Sequence, residues 1–178
     1  MVAQLRRDAA GEVRDDPASR ELYAADASLY ARRPLAGLRA RDADDLDAAL
    51  AACRDHGVPL TMRGAGTSLA GQAVGSGLVV DCSALDEIAI DPATRTARVG
   101  PGVVLDRLNA AAGAHGLLFG PDVASGSRAT LGGMIANNSA GARSIAYGLT
   151  AQMVPFGSTY PPTSTSIIAC RPNKNTGG

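Results

Sequence analysis

The sequence has little that would serve nucleic-acid or membrane-surface binding. Aromatic residues make up 3% of the chain and tryptophan is absent, so stacking platforms for single-stranded nucleic acid are missing. Lysine plus arginine and aspartate plus glutamate balance at 17 each, which leaves no net charge to attract nucleic acid or an anionic membrane. With 178 residues and 46% hydrophobic content, we expect a folded domain that binds a small neutral or locally anionic ligand.

Metal sites, disulfides and membrane segments are not expected either. The cysteines, Cys53, Cys82 and Cys170, are far apart and form no C-x-x-C pair, which argues against a zinc site, an iron–sulfur cluster or a disulfide framework. No apolar run is long enough to cross a bilayer, and the first residues lack the apolar stretch of a signal peptide. We therefore predict free thiols in a cytoplasmic protein, or in one that is membrane-peripheral through a partner.

Helix and strand signals favour an α+β fold. Helices are predicted after Asp16-Pro17, after Asp42 with Gly57 as the stop, and from Val103 to His115. In the second helix, Leu46, Ala49, Leu50 and Cys53 form the predicted inward stripe. Strands are expected at 58–62, 78–82, 87–90 and 94–99, the last two as a hairpin. This order favours α+β over a doubly wound sheet.

Three regions follow from this pattern. Residues 1–33 form an N-terminal helical segment, and residues 34–154 form the main domain. From Pro155 the sequence is rich in Pro, Ser, Thr, Asn and Gly and shows no period, so residues 155–178 are predicted to be a disordered tail foreign to the rest.

A glycine-rich loop at 63–71 follows directly after a predicted strand. Glycines at 64 and 66 permit positive φ, which lets consecutive N–H groups form a concave nest for phosphate oxygens. The hydroxyls of Thr67 and Ser68 can add donors, and a helical turn after the loop would point its N-terminus at the same anion. A P-loop needs a lysine that the body of the chain lacks, and a Rossmann fingerprint needs glycine where Leu69 stands. A tight turn without a ligand is the alternative interpretation.

A second polar segment lies at 121–141. It combines hydroxyls, the Gly132-Gly133 pair and the amides of Asn137 and Asn138, a composition suited to hydrogen bonding of a polar ligand. Two such regions in one small domain imply one extended ligand between them. Turn or cap formation is the alternative for the asparagines. His56 and His115 each precede a glycine at a predicted helix end, where the helix dipole favours a cation, so neither is assigned to a site.

These motifs resemble the FAD-binding domain of the vanillyl-alcohol oxidase / p-cresol methylhydroxylase type, in the branch that holds glycolate oxidases and D-lactate dehydrogenases. The resemblance covers about residues 20 to 154. Its carriers, in order, are 23–28, 63–72 (Arg-Gly-Ala-Gly-Thr-Ser-Leu-Ala-Gly-Gln), 99–102, 119–122 and 130–138 (Thr-Leu-Gly-Gly-Met-Ile-Ala-Asn-Asn). Residues 127–139 look typical of long bacterial members that add an iron–sulfur region. The resemblance implies a two-lobed α+β domain with FAD between the lobes, the second lobe being incomplete here.

The resemblance also implies which residues hold the cofactor. The pyrophosphate would be lined by Arg63, Gly64, Ala65, Gly66, Thr67 and Ser68. The flavin half, or the remaining phosphate and ribitol, would be contacted by Pro121, Asp122, Ser127, Thr130, Gly132, Gly133, Asn137 and Gly141. Relatives that attach flavin covalently often carry His in the first loop, where Thr67 stands here, so noncovalent FAD is implied.

The activity implied by the resemblance is hydride transfer from a 2-hydroxy acid, such as D-lactate or glycolate, to FAD. Proteins of this family continue past Tyr147-Gly148 into more of the second lobe and a substrate-binding domain, whereas here Pro155 begins the unrelated tail. No catalytic residue, metal ligand or electron acceptor can be assigned, and the isolated chain is expected to bind FAD weakly and to catalyse nothing. A frameshift, an altered stop or a fragmentary gene model is the hypothesis for the change at Pro155.

Two alternatives remain open on the sequence. A cell-wall nucleotide-sugar reductase has the same flavin fold, but its second loop usually reads Gly-x-Pro-Gly-x-x-Gly-Gly, and residues 125–133 lack that proline. A noncatalytic flavin-binding or scaffold subunit of a multi-chain dehydrogenase is the alternative from another class.

Overall fold

Two separate cores organise the chain. The computed structural model describes residues 1–154 and 166–173, and these divide into the units Met1–Leu85 and Asp86–Gly178. Each unit combines helices with a sheet, in agreement with the α+β prediction. Within the described residues, no helix combines the length and the apolar character that a membrane crossing requires.

Carboxylate caps start two helices of the first unit. Asp16 accepts a hydrogen bond from the Ser19 N–H at 2.9 Å, and Pro17 is the first residue of the helix that follows. Asp42 caps the next helix in the same way, and this helix ends at Gly57 in the left-handed conformation (φ 61°). Both predicted helices are confirmed. The helices of this unit are α1 (Val2–Asp8), α2 (Pro17–Leu22) and α3 (Ala43–His56).

The first unit is built on a four-stranded sheet in the order β1-β2-β4-β3. Its strands are β1 (Glu12–Arg14), β2 (Ala36–Arg39), β3 (Leu60–Arg63) and β4 (Leu78–Asp81). Strands β2, β4 and β3 are parallel, and the register places Arg63 beside Asp81. The carboxyl ends of β3 and β4 therefore lie at the same edge, which is where open parallel sheets place ligands. The description of residues 1–33 as helical omitted β1, which extends this sheet.

Small side chains let α3 pack closely in the first core. Ala49, Ala52 and Cys53 of α3 are buried in the cluster that contains Leu38 and Leu78 of the sheet. Leu50 was predicted to belong to the inward stripe, but it is 56% exposed. The reason is geometric, because Leu50 lies about 100° around the helix from the buried Ala49.

The second unit begins with the predicted hairpin. Strands β5 (Ile88–Asp91) and β6 (Thr96–Val99) are antiparallel, and Asp91 accepts hydrogen bonds from the turn N–H groups of Ala93 and Thr94. The remaining elements described between residues 100 and 154 are α4 (Leu105–Gly113), β7 (Leu117–Leu118), α5 (Leu131–Ala136), α6 (Ser144–Tyr147) and a 3₁₀ turn (Thr150–Met153). The core of this unit includes Leu105, Leu108, Phe119, Leu131 and Met134.

Part of the predicted tail belongs to this fold. Residues Ser166–Ala169 form β8, antiparallel to β6, and Arg171–Pro172 form β9 beside β7. Ile168 is fully buried and Cys170 is 5% exposed. The prediction of disorder is therefore wrong for residues 166–173. The short apolar run in this segment pairs with β6 and β7, and the polar composition around it gave no sign of these strands. The rest of the predicted tail, 155–165 and 174–178, lies outside the described residues.

Candidate functional site

The first glycine-rich loop leaves the sheet at the carboxyl end of β3. Among the residues that the structure describes, none accepts a hydrogen bond from the main-chain N–H groups of residues 64–68. Gly66 adopts a left-handed conformation, with φ 67°. The loop contains no acidic side chain. A row of N–H groups without an internal acceptor and without a nearby carboxylate in the loop is suited to phosphate oxygens.

Three details of this loop differ from the sequence-based expectations. Positive φ occurs at Gly66 and Gly71 rather than at Gly64. Residues 64–77 contain no helix, so no helix N-terminus contributes to anion binding here. The Ser68 hydroxyl bonds to the Gln72 side chain and accepts a hydrogen bond from the Ala70 N–H at 3.2 Å, so it shapes the turn. Main-chain N–H groups, with the hydroxyl of Thr67, are the donors that remain.

The segment before the loop supports it from the other side. The Ala27 N–H donates to the Gly66 carbonyl at 2.9 Å. Asp26 accepts hydrogen bonds from the Ser28 N–H at 2.9 Å and from the Ala73 N–H at 3.3 Å. Burial alone would raise the pKa of Asp26, but the bonds from Ser28 and Ala73 lower it overall, so the carboxylate stays charged at neutral pH.

Sequence reasoning did not assign a role to Asp26 or Ala27. The signal was the Asp-Ala-Ser pattern itself, in which an aspartate accepts the N–H two residues later. That pattern predicts a local turn but says nothing about a contact with residues 66 and 73.

Arg63, predicted to line the pyrophosphate, is held inside the first unit. Its guanidinium donates to the Ala73 carbonyl at 3.1 Å and to the Ala25 carbonyl at 2.9 Å. It also lies over the Tyr23 ring, 5.8 Å from the centroid. The Tyr23 hydroxyl donates to Asp81 at 3.0 Å, and burial, followed by the charge of Asp81, raises the pKa of Tyr23 to about 12.

In the second unit, the segment around α5 is anchored on the turn at 100–103. The Leu131 N–H donates to the Val103 carbonyl at 2.8 Å, and the Gly132 N–H donates to the Pro101 carbonyl at 2.9 Å. Thr130, the N-cap residue of α5, is buried. The N–H groups of residues 131 and 132 are therefore used within this unit. Among the described residues, none accepts a hydrogen bond from the Gly133 N–H.

Asp122 and Gly141 lie directly against one another. A Cβ on Gly141 would fall 1.6 Å from the Asp122 carbonyl oxygen, so only glycine fits at this backbone crossing. Asp122 also pairs with Arg143 at 3.1 Å. Of the other predicted residues, Pro121 is buried next to this crossing, and Ser127 is exposed in the turn that precedes Thr130.

The asparagines act within the chain. The side-chain amide of Asn137 donates to the Gly133 carbonyl at 2.9 Å, and Asn138, at φ 46°, accepts a hydrogen bond from the Ala151 N–H at 2.9 Å. These are the turn and capping contacts that the sequence left open as an alternative. Among the residues described, no cluster of histidine, cysteine or acidic side chains could hold a metal ion.

Comparison with known proteins identifies the domain. The sequence pattern of the FAD binding domain family matches residues 34–156. The chain belongs to this family. The cofactor of the domain is therefore FAD.

Relatives with assigned activities share a large part of this chain. The D-2-hydroxyglutarate dehydrogenase of Pseudomonas putida is 40% identical over 145 residues, which cover 79% of this chain and 14% of that protein. Glycolate oxidase subunit GlcD of Bacillus subtilis is 36% identical over 144 residues, covering 79% of this chain and 31% of that protein. The D-lactate dehydrogenase of Archaeoglobus fulgidus is 38% identical over 109 residues, covering 60% of this chain and 24% of that protein. The chain thus spans 14% to 31% of the length of these curated relatives.

Solved structures confirm the fold. 6-Hydroxy-D-nicotine oxidase from Arthrobacter nicotinovorans superimposes with a TM-score of 0.79 at 20% identity, covering 92% of this chain and 43% of the oxidase. Xylooligosaccharide oxidase from Myceliophthora thermophila C1 gives a TM-score of 0.78 at 17% identity, covering 94% and 42%. The fold is thus α+β and of the p-cresol methylhydroxylase type, as the motifs indicated.

Proposed function

We propose that this chain is the FAD-binding part of a flavin-dependent oxidoreductase whose full-length form oxidises a 2-hydroxy acid of the D-lactate or glycolate type by hydride transfer to FAD. The observation that carries the proposal is the row of N–H groups at residues 64–68, which have no internal acceptor among the described residues and lie at the carboxyl edge of the sheet. The activities named for the relatives from P. putida, B. subtilis and A. fulgidus support the substrate class.

Each unit has its own candidate residues for FAD contact in this proposal. In the first unit, the main chain of Gly64, Ala65, Gly66, Thr67 and Ser68 donates hydrogen bonds to the diphosphate. In the second unit, the contacts come from Pro121, Asp122, Ser127, Thr130, Gly133, Asn137 and Gly141, with Gly132 holding α5 against Pro101. Bound FAD supplies the acceptor for the hydride of the substrate. Thr67 offers no imidazole for a covalent bond to the flavin, which supports noncovalent binding.

The isolated chain is proposed to bind FAD without turning over substrate. Oxidation also needs groups that hold the substrate carboxylate and accept the proton of its hydroxyl. The described residues supply no assigned group for either task, and the relatives are several times longer than the part that this chain matches. A cytoplasmic location is proposed on the free, buried state of Cys53, Cys82 and Cys170, which suits a reducing compartment.

Flavin titration of the purified chain tests this function. We expect FAD to bind, with a change in its absorbance and quenching of its fluorescence, and ADP to compete because both present a diphosphate to the first loop. Riboflavin, which has no phosphate, is expected to bind more weakly than FAD. Acid precipitation should release the flavin into the supernatant. A chain that binds neither FAD nor ADP would overturn the proposal, and flavin that remains in the pellet would overturn its noncovalent part.

A noncatalytic flavin-binding or scaffold subunit is the second candidate. It is favoured by the burial of Ile168 and Cys170, since these residues pack in the core of the second unit. In this case a separately encoded chain would supply the catalytic groups. Reduction of a dye by a 2-hydroxy acid would then require both chains together. Reading the downstream DNA in the other frames separates the two candidates, because a frameshift predicts the rest of the flavin lobe in another frame.

A further inference from the structure

Arg63 connects three segments of the first unit around the phosphate loop. It is the last residue of β3, and its terminal nitrogens donate to the carbonyls of Ala25, before the loop, and Ala73, after it, at 2.9 Å and 3.1 Å. The guanidinium also lies over the ring of Tyr23 at 5.8 Å from the centroid. A planar group that donates in two directions is suited to this bridge, whereas the single ammonium of lysine is not.

The surface under the guanidinium is fixed by its own contacts. Tyr23 is 6% exposed, and its hydroxyl donates to Asp81 at the end of β4. Its ring lies directly on Gly37 of β2, where an added Cβ would fall 2.4 Å from a ring carbon. Arg63 therefore rests on a ring that is held by two strands, and its position is defined relative to the sheet.

The two bridged segments both contact the loop or each other. Ala27, two residues after Ala25, donates to the Gly66 carbonyl at 2.9 Å. Ala73 donates through its N–H to Asp26 at 3.3 Å while its carbonyl accepts from Arg63. Gly66 itself packs on the guanidinium, since a Cβ there would lie 2.5 Å from a terminal nitrogen. The backbone at Gly66 is therefore enclosed by Arg63 and the segment 25–27.

We propose that Arg63 is a positioning residue that clamps residues 25 and 73 around the loop and so orients the N–H groups of residues 64–68 toward the diphosphate. This inference rests on the proposed function, and it replaces the expectation that Arg63 lines the pyrophosphate. Both terminal nitrogens of the guanidinium already donate to carbonyl oxygens of the chain. The contribution of Arg63 to FAD binding is made through the geometry of the loop instead of an ion pair with phosphate.

The clamp is tested first without flavin. Arg63→Lys keeps the charge and loses the bridge, and Arg63→Gln loses both. Arg32→Gln is the matched control, because Arg32 is exposed and its side chain has no partner among the described residues. Hydrogen exchange is measured on the whole flavin-free chain. In both Arg63 variants the amides of Ala27 and Ala73 should exchange at least about tenfold faster than in the wild type. This is the effect expected when a hydrogen bond from the charged guanidinium to the main chain is lost. Wild-type exchange at both amides in Arg63→Lys would overturn the clamp.

Flavin affinities then separate positioning from direct charge. Arg63→Lys should weaken FAD binding about tenfold or more and leave riboflavin binding little changed, so that the preference for FAD falls. The control Arg32→Gln should keep the wild-type preference. If Arg63→Lys binds FAD as the wild type does while Arg63→Gln does not, the charge acts on phosphate and the proposal is wrong. Should Arg63→Gln fail to fold, Arg63→Lys alone decides.

A failure of the proposed function gives a different pattern. In that case the wild-type chain itself binds no FAD, and the proposal that Arg63 orients the N–H groups of residues 64–68 toward the diphosphate is wrong as well. The exchange of Ala27 and Ala73 in flavin-free Arg63→Lys still decides whether the clamp exists, since that measurement requires no ligand.

Discussion

Adjacent glycines at the start of α5 should respond to alanine with opposite signs. A Cβ on Gly132 would lie 2.7 Å from the Pro101 Cβ and 3.0 Å from the Pro101 carbonyl oxygen. Among the described residues, a Cβ on Gly133 would meet only the Thr130 hydroxyl oxygen, at the ordinary contact distance of 3.4 Å. Both residues lie in the same helix, so the intrinsic helix preference of alanine acts on the two variants alike.

The size of each effect follows from these contacts. Replacing glycine with alanine in a helix stabilises by up to about 1 kcal/mol, and this is the expected result for Gly133→Ala. For Gly132→Ala, overpacking against Pro101 costs about 1–3 kcal/mol. The displaced backbone also weakens the hydrogen bond from the Gly132 N–H to the Pro101 carbonyl, which is worth about 1 kcal/mol. We therefore expect Gly132→Ala to be less stable than the wild type by about 1–3 kcal/mol.

Urea unfolding of the flavin-free chain, followed by circular dichroism, measures both variants. The midpoint should move down for Gly132→Ala and stay or move up for Gly133→Ala, with unchanged slopes. Equal stability of the two variants, or a larger loss in Gly133→Ala, would show that α5 is not packed on Pro101 as described.

Three further substitutions, and one control at an exposed position, test the two units and the first loop. Asp45 is 1% exposed and accepts hydrogen bonds from the N–H groups of Ala10, Gly11 and Arg41, so Asp45→Asn should lower the free energy of unfolding by about 3 kcal/mol. Burial would raise the pKa of Asp45, but these bonds lower it below 3.8 overall. The difference in unfolding free energy between the wild type and Asp45→Asn should therefore be largest above the ordinary pKa of aspartate. It should shrink as the pH falls through the lower pKa that Asp45 has in the folded state. A difference that grows in acid would contradict this. Ile168→Ala should lower the free energy of unfolding by about 2–5 kcal/mol in thermal or urea unfolding, because it leaves a cavity in the core. The control Ile145→Ala, at a fully exposed position, should change stability by less than about 0.5 kcal/mol. Equal effects of the two substitutions would exclude β8 from the core. Gly66→Ala should weaken FAD binding at least about tenfold in the flavin titration, because φ is 67° and the added methyl meets Arg63, and wild-type affinity would contradict the assigned loop conformation.

The local elements could be predicted from the sequence alone. The caps at Asp16 and Asp42 act on N–H groups three residues away, and the left-handed stop at Gly57 is set by one residue. The hairpin at Asp91 and the position of the glycine-rich loop after β3 are equally local. The conformation inside that loop was predicted only in part, since Gly66 has positive φ and Gly64 does not.

Contacts between residues distant in the chain were decided by the tertiary structure. The Arg63 guanidinium donates to carbonyls at residues 25 and 73, and the Gly132 N–H donates to the carbonyl of residue 101, so both groups make contacts within the chain that the motifs did not predict. Ile168 is buried because its strand pairs with β6, although the short apolar run that contains it is flanked by polar sequence. Local composition and periodicity determine which turns, caps and strands form, because those interactions span a few residues. Which donors remain available to a ligand depends on partners that only the folded chain brings together.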